Sequence, residues 1–171
     1  MLNIYLYLYE KNMEQELLTL DDLNFHDCNM YSFGFDSDNY EFLFDIDLIL
    51  QWHTEKPKWR FSVCPVTIVF KNVYDIEMDI NSNTQLIMDD IIKSNPRVPK
   101  NIEYLPAGTL EYDWYFDLIV GGEIRFKSIG MTMYQRKEPI VQRRQALTLE
   151  DRGGFSLNKE GIIILNDFMT S

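Results

Sequence analysis

The chain has 171 residues, of which 46% are hydrophobic and 14% aromatic, and its formal net charge is −11. This length and composition fit one ordered domain over residues 1–171 with a single core, and they exclude a largely disordered chain. A negative surface repels phosphate backbones, so nucleic acid is not expected as a partner, and no run is long and apolar enough to predict a membrane span.

The first segment of the chain is the apolar run LNIYLYLY from Leu2 to Tyr9. It lacks the basic region and cleavage site of a secretion signal, so it predicts a strand. Met13 is an alternative start, which would make residues 1–12 an N-terminal extension. The two cysteines, Cys28 and Cys64, are too few to staple a domain of this size. We therefore expect a reducing, cytoplasmic compartment and two small buried thiols.

Alternation of apolar and polar residues with a period of two is the dominant pattern, and it predicts antiparallel strands. In three segments, at 40–50, 74–80 and 110–118, the apolar face is backed by carboxylates. The carboxylates predicted to face outward are Glu41, Asp45, Asp47, Asp75, Glu77, Asp79, Glu111, Asp113 and Asp117. A fourth strand is expected from Trp59 to Phe70, with Pro65 as the mark of an edge or a bulge and the 73–80 strand as its partner.

Matching apolar faces also predict the register of two hairpins. In the first, a four-residue turn opposes Phe33 to Phe42. In the second, a three-residue loop at 120–122 opposes Leu118 to Ile124 and uses glycine for positive φ.

Helical patterns are short and are confined to Glu14–Leu23 and Thr84–Lys93. The proline-containing stretch Ser94–Pro106 is typical of a surface connection. The expected fold class is therefore mainly β, as an antiparallel sheet sandwich or a partly open barrel with one or two short helices.

A set of potential metal ligands follows from the first hairpin. Extending its register pairs Cys28 with Asp47 and Met30 with Asp45, and it places His26 on the same face. Imidazole, thiolate and carboxylate all bind zinc, so a metal-assisted hydrolase using His26, Asp45 and Asp47 is one alternative. The favoured interpretation is a histidine hydrogen-bonded to a neighbouring carboxylate, and no cofactor is expected.

The adjacent His26–Asp27 pair resembles the motif of metal-dependent phosphohydrolases, which need further histidines on helices to hold metal. This chain has only His26 and His53. No serine lies in a nucleophile elbow, and the pairs Gly121–Gly122 and Gly153–Gly154 lack the strand-to-helix context of phosphate loops. Because no catalytic signature is complete, the sequence favours a protein that is not an enzyme.

Charge is unevenly distributed along the chain. Residues 10–55 contain 12 carboxylates and one lysine, whereas residues 123–159 contain 8 basic and 4 acidic residues. The acidic region predicts electrostatic steering of a basic protein partner, with solubility as the simpler explanation of the charge. We expect the basic run from Arg136–Lys137 to Arg143–Arg144 to pair internally with the acidic strands or to form a partner-facing patch.

The three tryptophans raise a third alternative. Trp52, Trp59 and Trp114 could line the cavity of a small-molecule-binding β-barrel. Core packing is the competing explanation. The oligomeric state is open at this point.

Four segments carry a family resemblance: HDCNMYSFGF, LFDIDLILQW, PVTIVFKNVYDIEMDI and GGEIRFKSIGMTMYQRKEPIVQRRQALTLEDRGGF. Together, over residues 21–155, they resemble an uncharacterised family of small acidic bacterial proteins, some of them encoded beside toxin systems. The resemblance implies a mainly β domain without an established reaction. With the charge pattern, it leads us to expect a protein-binding domain of immunity type. The polar and aromatic residues expected to fix buried networks or to contact a partner are His26, Asp27, Asp45, Asp47, Trp52, Arg136, Arg143 and Arg152.

Overall fold

A computed structural model describes residues 17–54, 58–81 and 85–168. The strands are β1 (Cys28–Asp36), β2 (Glu41–His53), β3 (Arg60–Lys71), β4 (Tyr74–Ile80), β5 (Leu86–Arg97), β6 (Glu111–Leu118), β7 (Gly122–Ser128), β8 (Gly130–Gln135), β9 (Ile140–Gln142) and β10 (Ile162–Asn166). The short helix α1 (Leu149–Arg152) lies between β9 and β10, and one-turn 3-10 helices lie at Leu20–Asp22 and Ile102–Tyr104. The predicted strand Leu2–Tyr9 and the alternative start Met13 lie outside the described residues.

All ten strands belong to one antiparallel sheet that is not closed into a barrel, so the predicted fold class is confirmed. Nine strands follow the order β10-β8-β3-β2-β1-β5-β6-β7-β4, and β9 pairs with β3. In the described residues β1 and β5 share three residue pairs, Cys28–Met30 with Met88–Leu86. We call this short junction the seam, because it divides the sheet into two halves. No helix in the described ranges is long and apolar enough to span a membrane.

The two halves of the sheet face each other across an aromatic core. The ring centroids of Phe44 in β2 and Phe116 in β6 are 4.6 Å apart. Phe70 in β3 packs against Trp114 in β6, with 4.8 Å between centroids. Such ring pairs contribute about 0.5–1.5 kcal/mol each beyond the burial of their area. The core therefore holds the halves together where the backbone pairing of the seam is short.

Strand β2 is buried on both faces over Glu41–Ile49, because the connection between β9 and β10 crosses its outer side. The prediction of solvent-facing carboxylates is therefore wrong for this strand. It is correct for β4, which lies at the edge of the sheet. The buried carboxylates are Glu41, Asp45 and Asp47 of β2 with Glu111 of β6, and the exposed ones are Asp75, Glu77 and Asp79.

Both predicted hairpin registers are wrong by two residues. The strands β1 and β2 oppose Phe33 to Phe44, and β6 and β7 oppose Phe116 to Ile124. The second loop has the predicted three residues, but it ends at Gly121, one residue early. Next to each turn, a shift of two leaves the side chains on their predicted faces, so facing patterns alone do not separate these registers.

Strand β3 is central in the sheet, so the prediction that Pro65 marks an edge strand is wrong. It pairs with β2 on one side, and on the other with β8 from Val66 onward and with β9 up to Val63. Pro65 lies where the partner changes, so its missing N–H interrupts no ladder on that side. The predicted pairing with β4 is wrong, because β4 pairs with β7. The predicted helix Thr84–Lys93 is also wrong, since β5 begins at Leu86.

Candidate functional site

Two aspartates of β2 hold a buried ion network on the outer face of the sheet. Asp45 accepts hydrogen bonds from Arg152 Nη2 at 2.6 Å and from Arg136 Nη2 at 2.5 Å. Asp47 accepts one from Arg152 Nε at 3.2 Å. The side chains of Asp45, Asp47 and Arg152 have no exposed surface, so each charge depends on its partners. The predicted pairing of the basic run with an acidic strand is confirmed for Arg136. Arg152 fixes a buried network, which is one of the two roles expected for it.

The same carboxylates fix the connection between β9 and β10 onto the sheet. Asp47 Oδ2 accepts from the backbone N–H of Leu147 at 2.8 Å and from the hydroxyl of Tyr31 at 2.9 Å. Asp45 Oδ2 accepts from the backbone N–H of Ser156 at 3.0 Å. Because these bonds hold both ends of a segment that contains α1, the network is a structural clamp.

Burial sets the ionisation of the groups around the clamp. Desolvation acts to lower the pKa of Arg152, but the hydrogen bonds and charges of Asp45 and Asp47 outweigh it, so that pKa is raised. The guanidinium carbon of Arg152 lies 3.7 Å from the ring centroid of Tyr31. Burial, followed by the charge of Asp47, raises the pKa of Tyr31. Arg152 therefore stays charged and Tyr31 neutral near neutral pH.

Beside the clamp lies an open groove of about 810 Å³, which we call the arginine groove. It runs between the β9–β10 connection and the seam, and its walls include Asn29, Gln85, Arg143, Arg144 and Phe155. Both arginines are exposed. Within the part of the chain that the structure describes, neither guanidinium has an ion pair.

His26 and Asp27 lie at the end of the arginine groove. Nδ1 of His26 is 2.5 Å from Oδ1 of Asp89 in β5, and its Nε2 is 3.7 Å from Oδ2 of Asp27. Asp27 lines the groove and accepts a hydrogen bond from Gln145 Nε2 at 2.7 Å. The expectation that His26 bonds a carboxylate is confirmed, and the closer partner is Asp89.

The predicted convergence of a histidine, a cysteine and two aspartates is wrong. A bulge in β1 shifts its register by one, so Asn29 opposes Asp47 and Cys28 is buried in the core. Asp45 and Asp47 bind arginines, while His26 binds a carboxylate of β5. Over the described ranges, no group of three or more histidine, cysteine or acidic residues is placed to hold a metal ion.

Trp52 lies near the end of β2, away from the clamp contacts. It packs edge-to-face on Phe61 of β3, with 5.0 Å between ring centroids, and its buried indole N–H has no acceptor among the described residues. Trp114 is in the core, whereas Trp59 is 60% exposed. The three tryptophans therefore do not line a common cavity.

A second opening of about 580 Å³ lies further along β5, and we call it the acidic cleft. Its floor is apolar and includes Ile92, which is 43% exposed. Its rim carries Asp21 and Asp90, and neither has a lysine or arginine partner among the described residues. Lys93, on the same rim, is held by Asp167 at 2.6 Å.

The two openings lie side by side along β5. Residues 85–87 line the arginine groove and residues 90–93 line the acidic cleft, with Asp89 and its partner His26 between them. Of the residues that line the arginine groove, the sequence singled out Asp27 and Arg143 as candidates for a buried network or a partner contact. It missed Asp90 because residues 84–93 were predicted to be helical, and it offered no signal that Asp21 lies on the same rim.

Comparison of the sequence with protein-family models and curated proteins, and of the fold with solved structures, finds no match. The family resemblance of the four sequence segments stays a prediction.

Proposed function

We propose that this chain is a cytoplasmic, non-catalytic protein-binding domain whose acidic cleft receives a basic segment of a partner protein. The observation that carries the proposal is an apolar floor between two carboxylates, Asp21 and Asp90, that no described cation neutralises. Such a cleft is complementary to a segment that combines lysine or arginine with an apolar side chain. An immunity-type domain that binds a basic toxin is the form of this function suggested by the sequence resemblance.

The charge of the whole chain supports a basic partner. A net charge of −11 attracts cationic proteins over a distance that salt shortens to about 10 Å at 0.1 M ionic strength. Asp45 and Asp47 contribute little to this attraction, because arginines neutralise them inside the clamp. Of the acidic residues predicted from the sequence to attract a partner, Asp21 lies on the rim of the acidic cleft.

Affinity capture from a lysate of the native host tests this proposal. The wild-type chain is compared with the double variant Asp21→Asn, Asp90→Asn, which keeps side-chain size but removes both carboxylates. The matched control is Asp38→Asn, Glu103→Gln, because both of these carboxylates are exposed elsewhere and the change of charge is the same.

We expect one basic protein to be retained by the wild type and the control, and about tenfold less by the cleft variant, a difference of ~1.4 kcal/mol. High salt should release it, because screening weakens the attraction. A partner that the cleft variant retains equally well, or one that binds more tightly as salt rises, would contradict the proposal.

A further inference from the structure

Arg143 and Arg144 differ from most arginines of this chain because no carboxylate among the described residues forms an ion pair with them. The described arginines that do bind a carboxylate side chain are Arg97, Arg125, Arg136 and Arg152. The sequence contains 27 acidic residues, so an arginine pair without a described partner is unexpected from composition. Both side chains line the arginine groove, where an incoming group would meet them.

The walls of the arginine groove provide further contacts for a ligand. Phe155 is 64% exposed and offers an apolar ring surface. Asn29 and Gln85 place side-chain amides on the wall formed by β1 and β5. The volume of about 810 Å³ lies within the usual range of ligand sites, roughly 300–1,000 Å³.

The backbone that carries the two arginines is held in place from both sides. Nε2 of Gln142 donates to the carbonyl of Arg144 at 2.9 Å and to that of Ala146 at 2.8 Å. The next residue, Leu147, donates its N–H to Asp47 of the clamp. A ligand therefore needs to order two side chains and not the loop, which lowers the entropic cost of binding.

We propose that the arginine groove binds a peptide segment bearing a carboxylate, which Arg143 and Arg144 hold. A guanidinium donates two parallel hydrogen bonds to a carboxylate, and Phe155 packs on an apolar neighbour of the acidic residue. Asp27 in the same wall and the net charge of −11 oppose a polyanion, which favours an isolated carboxylate over nucleic acid. The acidic cleft is a separate opening, so this inference does not depend on the proposed function.

A titration of the full ¹⁵N-labelled chain with acetyl-Phe-Glu-amide, followed by NMR, tests the inference. Acetyl-Phe-Gln-amide is the matched ligand, because it differs mainly by the charge. We expect the Glu peptide to shift the backbone signals of Arg143, Gln145 and Phe155, and the Gln peptide to bind about tenfold more weakly.

Two variants assign the effect to the arginine groove. Arg143→Gln with Arg144→Gln should weaken binding of the Glu peptide about tenfold or more, while the clamp and the melting temperature are preserved. Arg60→Gln is the control, since Arg60 is exposed at the start of β3 and has no described ion pair. It should bind like the wild type.

Three results would overturn the inference. They are equal binding of the Glu and Gln peptides, unchanged binding by the double arginine variant, and displacement of the peptide by inorganic phosphate at lower concentration than the peptide itself. The last result would identify a general anion site. None of them bears on capture by the acidic cleft, so failure of one proposal is distinguishable from failure of the other.

Discussion

At the scale of single residues, Asp45 has the largest expected effect on stability. Its carboxylate accepts from Arg136, from Arg152 and from the N–H of Ser156. Asp45→Asn keeps the size of the side chain but leaves two guanidinium groups short of a countercharge. Breaking a buried ion pair in this way costs about 3–5 kcal/mol, so we expect a loss of that order in the free energy of unfolding.

Urea unfolding measures this loss, and Asp38→Asn in the exposed β1–β2 turn is the control. The control should change the free energy of unfolding by no more than about 0.5 kcal/mol, as surface substitutions usually do. If Asp45→Asn behaved like the control, the clamp would not be a stabilising structure.

Tyr31 predicts a dependence of stability on alkaline pH. Burial and the nearby Asp47 raise its pKa in the folded chain above the ordinary value near 10. The contribution of the neutral phenol to the free energy of unfolding is therefore fully present below the ordinary pKa near 10. It is lost as the pH rises from that value toward the higher pKa of the folded chain. Between about pH 9 and pH 11 the melting temperature should fall less in Tyr31→Phe than in the wild type.

The matched control is Tyr104→Phe, because Tyr104 is 81% exposed. Its substitution should leave the alkaline fall in melting temperature as it is in the wild type. Tyr31→Phe also loses the hydrogen bond to Asp47, so its melting temperature should be lower at neutral pH. An unchanged alkaline slope in Tyr31→Phe would contradict the assignment.

At the scale of elements, the β6–β7 hairpin offers a comparison between two adjacent glycines. Gly121 and Gly122 have φ of +87° and +104°. A Cβ on Gly121 would meet no atom within 4 Å, whereas one on Gly122 would lie 2.5 Å from the carbonyl oxygen of Asp79 in β4. Gly121→Ala should therefore cost about 1 kcal/mol of backbone strain.

Gly122→Ala should lower the free energy of unfolding by at least about 2 kcal/mol. It has the same backbone strain, and its Cβ must in addition displace the edge strand β4. Denaturant unfolding of the two variants, which share chemistry and position in the hairpin, measures the difference. Equal costs would mean that β4 does not approach the hairpin as closely as the pairing with β7 requires.

The strands could be predicted from alternation because a period of two is a local property of the chain. What covers each face is not local. Asp47 and Arg152 are 105 residues apart in sequence, so nothing near β2 indicates that its acidic face is covered. The β5 segment was missed for a local reason, since a bulge between Met88 and Asp90 interrupts the alternation. Its apolar residues then recur at spacings of three and four, as in a helix.

The candidate surfaces were predictable only in part, because contacts between residues distant in sequence decide which side chains stay exposed. The basic run at 136–144 was predicted to pair internally or to face a partner. The structure shows internal pairing for Arg136 and exposed side chains for Arg143 and Arg144. Which arginine takes which role depends on the position of the β9–β10 connection. The acidic cleft needs residues from both sides of the seam, and the hairpin patterns gave no indication of that junction.

At the scale of the whole molecule, both candidate surfaces lie next to the seam. Because β1 and β5 pair over three residues in the described chain, the sheet opens on either side of that junction. The arginine groove is lined by residues of the seam itself, and the acidic cleft begins just beyond it along β5. Short backbone pairing thus creates the openings, while the aromatic core maintains the fold.

This arrangement predicts that both halves of the sheet unfold together. Phe44 and Phe70 contact Phe116 and Trp114 across the core, so neither half keeps its buried face alone. Phe116→Ala should lower the free energy of unfolding by about 3–5 kcal/mol, as for other buried phenylalanines. The transition should stay single, because the remaining rings still join the halves.

Tryptophan fluorescence distinguishes this outcome from independent unfolding of the halves. In Trp114→Phe, the emission comes from Trp52 and Trp59, beside β3. In Trp52→Phe with Trp59→Phe, it comes from Trp114 in β6 of the other half. For each variant the fluorescence midpoint in urea should coincide with the midpoint from circular dichroism, as two-state unfolding requires. Fluorescence that changes before or after circular dichroism in either variant would show that the halves are separate folding units, despite their shared core.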